Sequence, residues 1–337
     1  MDNRFLIASV YCIIDSMVEF LISENDGNQR LDKFLKKYLK NAPLSHIYKL
    51  IRKDVKVNGK RQKPETVLHP GDQLILFISE EDEQAFKSIK AVSKQKRQFE
   101  IAYEDENLII VSKPFGLLTH GDAFEKKNTL VNQVMGYLIE NGGYDPSEKA
   151  FSPAPVNRLD RNTTGLVIFG KNSVALKTLN LMIGERNHIR KYYKTIVAGE
   201  IQKDLTLKGR LEKDTIENKV SILDEDGSVG KEIETLIRVV DKAKGFTLVE
   251  VELITGRTHQ IRAHLAHAGY PIIGDTKYGN KRLNWEINKK YDLTTQILHA
   301  ERLYFDHMMP YFDYMAGLEV KAQLPKEFSR IKDAIFV

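Results

Sequence analysis

The chain is poor in cysteine, since its 337 residues contain only Cys12. A single cysteine excludes an internal disulfide and any multi-cysteine zinc site, and it suits a reducing cytoplasm. Glycine and proline are not enriched, so the composition is that of an ordinary globular protein. The sequence also lacks the glycine-rich motifs that hold nucleotide phosphates. We therefore expect a cytoplasmic protein without a bound nucleotide, long enough for two domains.

Long apolar runs are also scarce. The one candidate is "RFLIASVYCII" near the N-terminus, which is too short to span a bilayer. It is long enough for the core of a signal peptide, but no small-residue cleavage site follows it. Instead Val18, Phe20 and Ile22 alternate like a strand directly after Met17. We interpret residues 1–16 as an extension ahead of the working start rather than as an export signal.

Positive charge is concentrated in one short region. The net charge is only +5, yet twelve lysines and arginines lie between Arg30 and Lys63 against two aspartates. A solvated helix face is the simpler interpretation, but such faces usually mix both signs of charge. The pattern therefore favours binding to a phosphate backbone. The candidate residues for this contact are Lys33, Lys37, Arg52, Lys53, Lys60 and Arg61.

Hydrophobic periodicity divides the chain into two domains. Residues 17–78 read as two amphipathic helices followed by a hairpin with an Asn58-Gly59 turn. Residues 79–98 are polar and charged, which predicts a linker that is helical in part at most. From residue 99 to residue 337, short strands alternate with helices. The predicted class is α+β, with a mostly antiparallel sheet in the larger domain.

The stretch "PVNRLDRNTTGLVIFGKN" sets Asp160 between Arg158 and Arg161, directly before an apolar strand. Neighbouring guanidinium groups favour the charged form of a carboxylate, so we expect Asp160 to be ionised at neutral pH. An ionised aspartate is a poor general acid but a suitable nucleophile or electrostatic stabiliser. The alternative is a structural ion pair at the edge of a strand.

A second cluster lies in "ITGRTHQIRAHLAHAGYPIIGDTKYG". Its three histidines, His259, His264 and His267, invite a metal site, but their spacing does not place all three on one helical face. We therefore predict no metal. The same helix could instead hold Arg262 against a carboxylate while Ile261 packs inward.

These stretches together resemble the RluA family of RNA pseudouridine synthases. "NRLDRNTTGL" is similar to the family's H-R-L-D-R-x-T-S-G-L signature, and "TGRTHQIRAHL" to its T-G-R-x-H-Q-I-R-x-H-L motif. "SKPFGLLTH", "RKYYKTIVAGE" and "LHAERLYF" match further family motifs in the same order. The resemblance runs from about Phe99 to Phe328. The lysine-rich module resembles the αL RNA-binding domain shared with ribosomal protein S4, as in family members that act on large-subunit ribosomal RNA (RluC- and RluD-like).

The resemblance implies a role for each matching residue. Asp160 would be the nucleophile, attacking uridine at the base or at the anomeric carbon, and Tyr193 would remove the proton from carbon 5. Arg262 would pair with Asp160, and Arg158 would fill the place of the flipped uridine. Further RNA contacts are assigned to Arg161, Thr164, His120, Arg257, His259 and Gln260. The chain departs from the family pattern at Asn157, Asn162 and Thr164, none of which is a charged catalytic position.

The resemblance also predicts the pseudouridine synthase fold and a reaction that needs no cofactor and no metal. The expected substrate is 23S ribosomal RNA, and the expected state is a monomer. A synthase acting on transfer RNA remains an alternative. So does a catalytically inert RNA-binding protein that serves ribosome assembly, or a base glycosylase that releases free uracil.

Overall fold

The computed structural model describes residues 17–87, 95–214, 219–223 and 229–337. The predicted extension at residues 1–16 and most of the second half of the predicted linker lie outside the described residues. No helix within the described residues is both long enough and apolar enough to cross a membrane. The described chain forms two compact units. The first takes the residues up to 87 together with Leu138–Pro153 and Asn172–Val174, and the second takes the remainder.

The first unit contains the predicted helix–helix–hairpin module. Its strands are β1 (Met17–Leu21), β2 (Gln29–Arg30), β3 (Val55–Val57), β4 (Val67–Leu68) and β5 (Gln73–Phe77). Its helices are α1 (Leu31–Tyr38), α2 (Leu44–Lys53) and α3 (Glu80–Phe86). The order β1-β5-β3 forms a three-stranded antiparallel sheet. The helices bury their apolar faces in one core, which includes Phe34, Leu35 and Ile51. The short helix α3 lies inside the predicted linker.

The Asn58-Gly59 turn is confirmed. Both residues have positive φ, at 50° and 74°, and Val57 pairs with Lys60 across them. This is the backbone that a two-residue hairpin of matching twist requires, and it explains the Asn-Gly sequence.

A buried aspartate ties a distant segment into the first unit. Asp26 is 2% exposed. Its carboxylate accepts backbone N–H bonds from Lys149, Ala150 and Phe151 at 2.7–2.8 Å. Nearby, Ser23 donates to the carboxylate of Glu148 at 2.6 Å. Since all these groups belong to the first unit, residues 144–151 complete it although they come from the middle of the chain.

The second unit is built on one large sheet. Its strands follow the order β12-β11-β13-β14-β10-β15-β9-β7-β6, with β16 on β15 and β8 on β9. The only parallel pair among the described strands is β15 with β9, so the prediction of a mostly antiparallel mixed sheet is confirmed. The strands are β6 (Glu100–Glu104), β7 (Leu108–Lys113), β8 (Ala154–Pro155), β9 (Thr164–Gly170), β10 (Ile189–Ala198), β11 (Leu205–Asp214), β12 (Lys219–Leu223), β13 (Lys231–Ala243), β14 (Phe246–Leu253), β15 (Leu298–Phe305) and β16 (Glu319–Lys321).

Helices accompany this sheet. The remaining described helices are α4 (Leu130–Glu140), α5 (Ser173–Glu185), α6 (Gln260–His267), α7 (Lys281–Tyr291), α8 (Lys326–Phe336) and the 3-10 helix η1 (Pro310–Met315). The core strand β9 is buried along its whole length. At its start Gly165 has φ of 107°, and a Cβ there would lie 2.1 Å from the carbonyl oxygen of Ala300. The glycine thus permits the close parallel approach of β9 and β15.

Candidate active site

Asp160 lies in the turn that leads into β9. The turn is closed by a backbone hydrogen bond from Thr163 N–H to the Asp160 carbonyl at 3.1 Å. The Asp160 side chain is 27% exposed. It faces a cleft of about 960 Å³. A rigid strand therefore holds this carboxylate at the wall of a cavity large enough for a nucleotide.

One guanidinium joins two carboxylates. Arg262 of α6 donates from Nη1 to Asp160 at 2.9 Å, and from Nε and Nη2 to Asp275 at 2.7 and 3.0 Å. Both Arg262 and Asp275 are buried. The bidentate contact with Asp275 fixes the plane of the guanidinium, so that its remaining nitrogen points at Asp160. The predicted pairing of Arg262 with a carboxylate is observed, whereas the second carboxylate was not predicted.

The electrostatics of this cluster favour charge on Arg262 and on Asp275. Burial opposes ionisation of Asp275, yet hydrogen bonds and charge from Arg262 outweigh it and lower the pKa of this carboxyl. Burial likewise opposes the charge on Arg262, and its two carboxylate partners raise its pKa in compensation. A buried charge is tolerated where its partners satisfy it in this way.

Tyr193 belongs to β10 and is 6% exposed. Burial raises the pKa of its phenol, and the nearby negative charge of Asp160 raises it further. The phenol is therefore protonated in the resting site. Leu253 and Leu298 line the same part of the cleft and give it apolar walls.

Lys113 was not predicted as a site residue, although it stands in the quoted "SKPFGLLTH" motif. It is 1% exposed. Its Nζ donates to the carbonyls of Pro114, Leu117 and Arg161 at 3.1, 2.7 and 2.9 Å. Burial lowers the pKa of Lys113 to about 7, and the charge of Asp160 opposes that shift. The lysine thus fastens the turn that carries Asp160 to the end of β7.

His259 caps α6 in a left-handed conformation, with φ of 54°. Its Nε2 lies 3.8 Å from Asp160, and its Nδ1 is 3.0 Å from the hydroxyl of Tyr278. Burial lowers the pKa of His259. The imidazole is therefore neutral near pH 7, and it borders Asp160 as a polar, uncharged group.

Comparison with known protein families gives this geometry a context. Residues 107–267 match the family model for RNA pseudouridylate synthase, and residues 29–74 match the S4 domain. The chain is 32% identical over 290 residues to ribosomal large subunit pseudouridine synthase C of Vibrio vulnificus, covering 85% of this chain and 87% of that protein. Its identity to the Haemophilus influenzae protein of the same name is 33%, covering 88% and 89%. The chain belongs to the RNA pseudouridylate synthase family.

A solved structure agrees with this membership at the level of fold. Human RNA Pseudouridylate Synthase Domain Containing 4 superposes with a TM-score of 0.55 at 21% identity, over 70% of this chain and 94% of that one. The predicted pseudouridine synthase fold is therefore confirmed.

The cleft of this synthase brings most of the predicted catalytic-domain residues together. Its lining includes the three predicted catalytic residues and five of the predicted RNA-contacting ones: Asp160, Tyr193, Arg262, Arg158, Arg161, His120, Arg257 and His259. Burial and the neighbouring Arg158 lower the pKa of His120. The Nε atom of Arg257 is buried without a hydrogen-bond partner among the described residues.

Two residues predicted to contact RNA, Thr164 and Gln260, are buried and have their polar groups engaged within the protein. Thr164 is 7% exposed, and its hydroxyl bonds to Nδ1 of His299 at 2.7 Å. Gln260 is 2% exposed; its amide donates to Glu234 and Thr235 and accepts from Thr255. Proximity to the motifs suggested RNA contact, but the polar groups of both residues are already used within the protein. Their role is to fix the ends of β9 and α6.

The basic residues predicted in the first unit are accessible. The exposed side chains are those of Lys33, Lys37, Arg52, Lys53, Lys60 and Arg61. Beneath them, buried Asp32 pairs with Arg30 and Lys36 at 3.0 and 3.2 Å. These exposed side chains give the surface of the module its positive charge.

Proposed function

We propose that this protein isomerises uridine to pseudouridine in large-subunit ribosomal RNA, with Asp160 as the nucleophile. The observation that carries the proposal is the Asp160 carboxylate, which is hydrogen-bonded to Arg262 on one oxygen and open to a cleft beside Tyr193. In this proposal residues 17–78 bind RNA, residues 79–98 link the domains, and residues 99–337 carry the reaction. The protein acts as a monomer in the cytoplasm.

The reaction breaks the bond between the ribose and nitrogen 1 of uracil and forms a bond to carbon 5. Asp160 attacks the flipped uridine, at the base or at the anomeric carbon, and Arg262 orients the carboxylate for that attack. The detached uracil rotates and rejoins the ribose through carbon 5. Asp160 is released as a carboxylate, Tyr193 takes the proton from carbon 5, and nitrogen 1 gains a proton, so the base keeps its number of protons. No electrons are gained or lost overall, so these side chains supply the chemistry without a redox partner.

The charge of Asp160 controls when Tyr193 can act. While the carboxylate is free, it raises the pKa of the Tyr193 phenol. Formation of a covalent bond to Asp160 removes that negative charge, and the pKa of the phenol falls. While Asp160 is bonded to the uridine, the phenol of Tyr193 therefore loses its own proton more readily, as the role of base requires. Leu253 and Leu298 exclude water around the detached uracil.

The RNA substrate is supported by two features. The curated relatives are named for the ribosomal large subunit, and the first unit exposes cations for phosphate contact. The target uridine must leave its stack, at a cost of a few kcal/mol. Arg158, which lines the cleft beside Asp160, would occupy the vacated position.

The test is to incubate the protein with uridine-labelled ribosomal RNA and to identify the labelled product. We expect pseudouridine within the RNA. Free uracil would indicate a glycosylase instead, and an unchanged nucleotide would indicate a binding protein without activity. Labelled transfer RNA assayed in parallel distinguishes the two RNA classes, since the proposal predicts faster modification of ribosomal RNA.

The same assay applied to Asp160→Ala tests the nucleophile. Product should be abolished while RNA affinity stays within a few-fold, because phosphates supply most of the binding. The matched control is Asp313→Ala, which removes an exposed carboxylate from η1 and should leave turnover unchanged. Undiminished turnover in Asp160→Ala would overturn the assignment.

A further inference from the structure

Lys191 is a buried cation in the wall of the active-site cleft. It is 7% exposed and belongs to β10, two residues before Tyr193. Residues i and i+2 of a strand lie on the same face, about 6.6 Å apart along it. Both side chains line the cleft. A ligand that touches Tyr193 therefore comes within reach of the Lys191 ammonium.

Lys191 has no counter-charge among the residues that the structure describes. No carboxylate of the described residues forms an ion pair with it, and its only charged neighbour of consequence is Arg186. The cleft lining contains two carboxylates, and both are engaged elsewhere. Asp160 binds Arg262, whereas Asp122 accepts N–H bonds from Phe124 and Glu125.

The Nζ atom of Lys191 is not among the described polar atoms that are buried without a partner, so the ammonium opens on the cleft while the stem is buried. A cation held in the wall of a cleft with no described carboxylate beside it indicates an anion that binds later. Burial and the charge of Arg186 lower the pKa of Lys191. The charge that shifts the pKa of Tyr193 comes from Asp160, with no contribution from Lys191. The lysine is therefore not placed to tune the phenol directly.

The surroundings indicate that the missing partner is an anion. Lys213 and Lys231, which are exposed lysines of β11 and β13, line the same cleft. Arg257 faces it as well, with a buried Nε that has no hydrogen-bond partner among the described residues. In a cleft that takes RNA, the anion that recurs is the backbone phosphate.

We propose that Lys191 is a positioning residue, whose ammonium binds one RNA backbone phosphate next to the flipped uridine and so holds the base over Asp160 and Tyr193. This inference rests on the proposed function for the nature of the substrate. No covalent step involves Lys191. The contact is independent of RNA sequence, because every nucleotide carries the same phosphate.

The experiment compares the full-length protein with Lys191→Met, which keeps the volume but removes the charge, and with Lys191→Arg, which keeps the charge. Lys326→Met, at an exposed lysine of α8, is the matched control. RNA affinity is measured over a range of KCl concentrations, and single-turnover rates are measured at saturating RNA. Thermal denaturation is followed for all four proteins.

For Lys191→Met we expect a loss of RNA affinity of about three- to tenfold and a salt slope smaller by about 0.7–0.9. The single-turnover rate at saturating RNA should fall as well, by about 10- to 100-fold, because the base is no longer held over Asp160 and Tyr193. Lys191→Arg should restore the slope. The melting temperature of Lys191→Met should stay close to that of wild type, because the ammonium forms no ion pair with the described residues and Met keeps the volume of the stem.

An unchanged salt slope in Lys191→Met would overturn the proposal, whatever happens to turnover. A lower melting temperature with an unchanged slope would show that the lysine serves the fold alone. The salt slope measures RNA binding and not catalysis. It therefore still tests the role of Lys191 if the wild-type protein makes no pseudouridine. Absence of pseudouridine would contradict the proposed function only.

Discussion

Two aspartates, one in each unit, show how the surroundings of a carboxylate decide its use. Asp26 in the first unit is 2% exposed and accepts three backbone N–H bonds. Asp160 in the second unit is 27% exposed and accepts one hydrogen bond, from Arg262. The carboxylate of Asp26 is occupied by the chain itself, whereas that of Asp160 keeps lone pairs free for a reacting atom.

A third aspartate, Asp275, shows that a charged neighbour is not what distinguishes these carboxylates. Asp275 shares Arg262 with Asp160, but it is fully buried and also accepts N–H bonds from Lys277 and Tyr278. The same guanidinium thus contacts one saturated carboxylate and one open carboxylate. A charged neighbour alone does not make an aspartate reactive. Access to the cleft and unoccupied acceptor positions are also required.

The largest effect is expected for Tyr193, the proposed base, which lines the cleft together with Asp160. Tyr193→Phe should lower pseudouridine formation by about 10²- to 10⁴-fold, the usual contribution of a general acid or base. A covalent or rearranged intermediate should accumulate, because Asp160 can still attack. Denaturing gels of the protein with labelled RNA would reveal it.

The matched control is Tyr192→Phe. Tyr192 is the next residue of β10, points to the other face, and stacks on Arg302 with 3.7 Å between guanidinium carbon and ring centre. It should retain near wild-type turnover. Wild-type turnover in Tyr193→Phe would contradict the role of base.

The next effect is on stability. Asp275→Asn breaks a buried ion pair and should destabilise the protein by about 3–5 kcal/mol. Denaturant unfolding measures this change, with Asp313→Asn as an exposed control that should stay within about 0.5 kcal/mol. A loss as small as that of the control would show that Asp275 does not support Arg262.

The pH dependence provides a second measurement on the same variant. Because the pKa of Asp275 is lowered in the folded protein, its contribution to stability is complete above its unfolded pKa of about 3.9. That contribution is lost as the pH falls through the lower folded pKa. Wild type should therefore lose stability more steeply below about pH 4 than Asp275→Asn does. Parallel curves would contradict this account.

The smallest effect is expected for the saturated carboxylate of the first unit. Asp26→Asn keeps the shape of the side chain but leaves at least one of the three N–H groups without an acceptor, at a cost of about 1–3 kcal/mol. Hydrogen exchange should accelerate at Lys149, Ala150 and Phe151, while turnover at saturating RNA stays within a few-fold. Unchanged exchange at these amides would show that Asp26 does not hold the segment.

Local patterns predicted much of the first unit. The apolar spacing of Leu31, Phe34 and Leu35 predicts α1, and the Asn58-Gly59 pair predicts its turn, because both follow from backbone periodicity and from positive φ. The contact of Asp26 with Phe151 was not predicted. It joins residues 125 positions apart, and no local pattern marks either partner.

At the active site, too, sequence motifs predicted some features, whereas others depend on the folded structure. The quoted motifs identified Asp160, Tyr193 and Arg262, and the structure brings all three to one cleft. Lys113 and Asp275 stand within quoted motifs too, but their contacts depend on where carbonyls and a guanidinium arrive after folding. Thr164 was expected to touch RNA, and its hydroxyl is instead taken by His299, 135 positions away.

The sequence by itself determined the class of the larger sheet, the basic character of the N-terminal module and the family. These properties follow from the composition, from the hydrophobic periodicity and from the order of the sequence motifs. Only the tertiary structure decided which carboxylates are saturated, which polar side chains are consumed internally and which cation is left unpaired. The reason is that hydrogen-bond partners and exposure depend on residues far apart in the chain, whose positions no short stretch specifies.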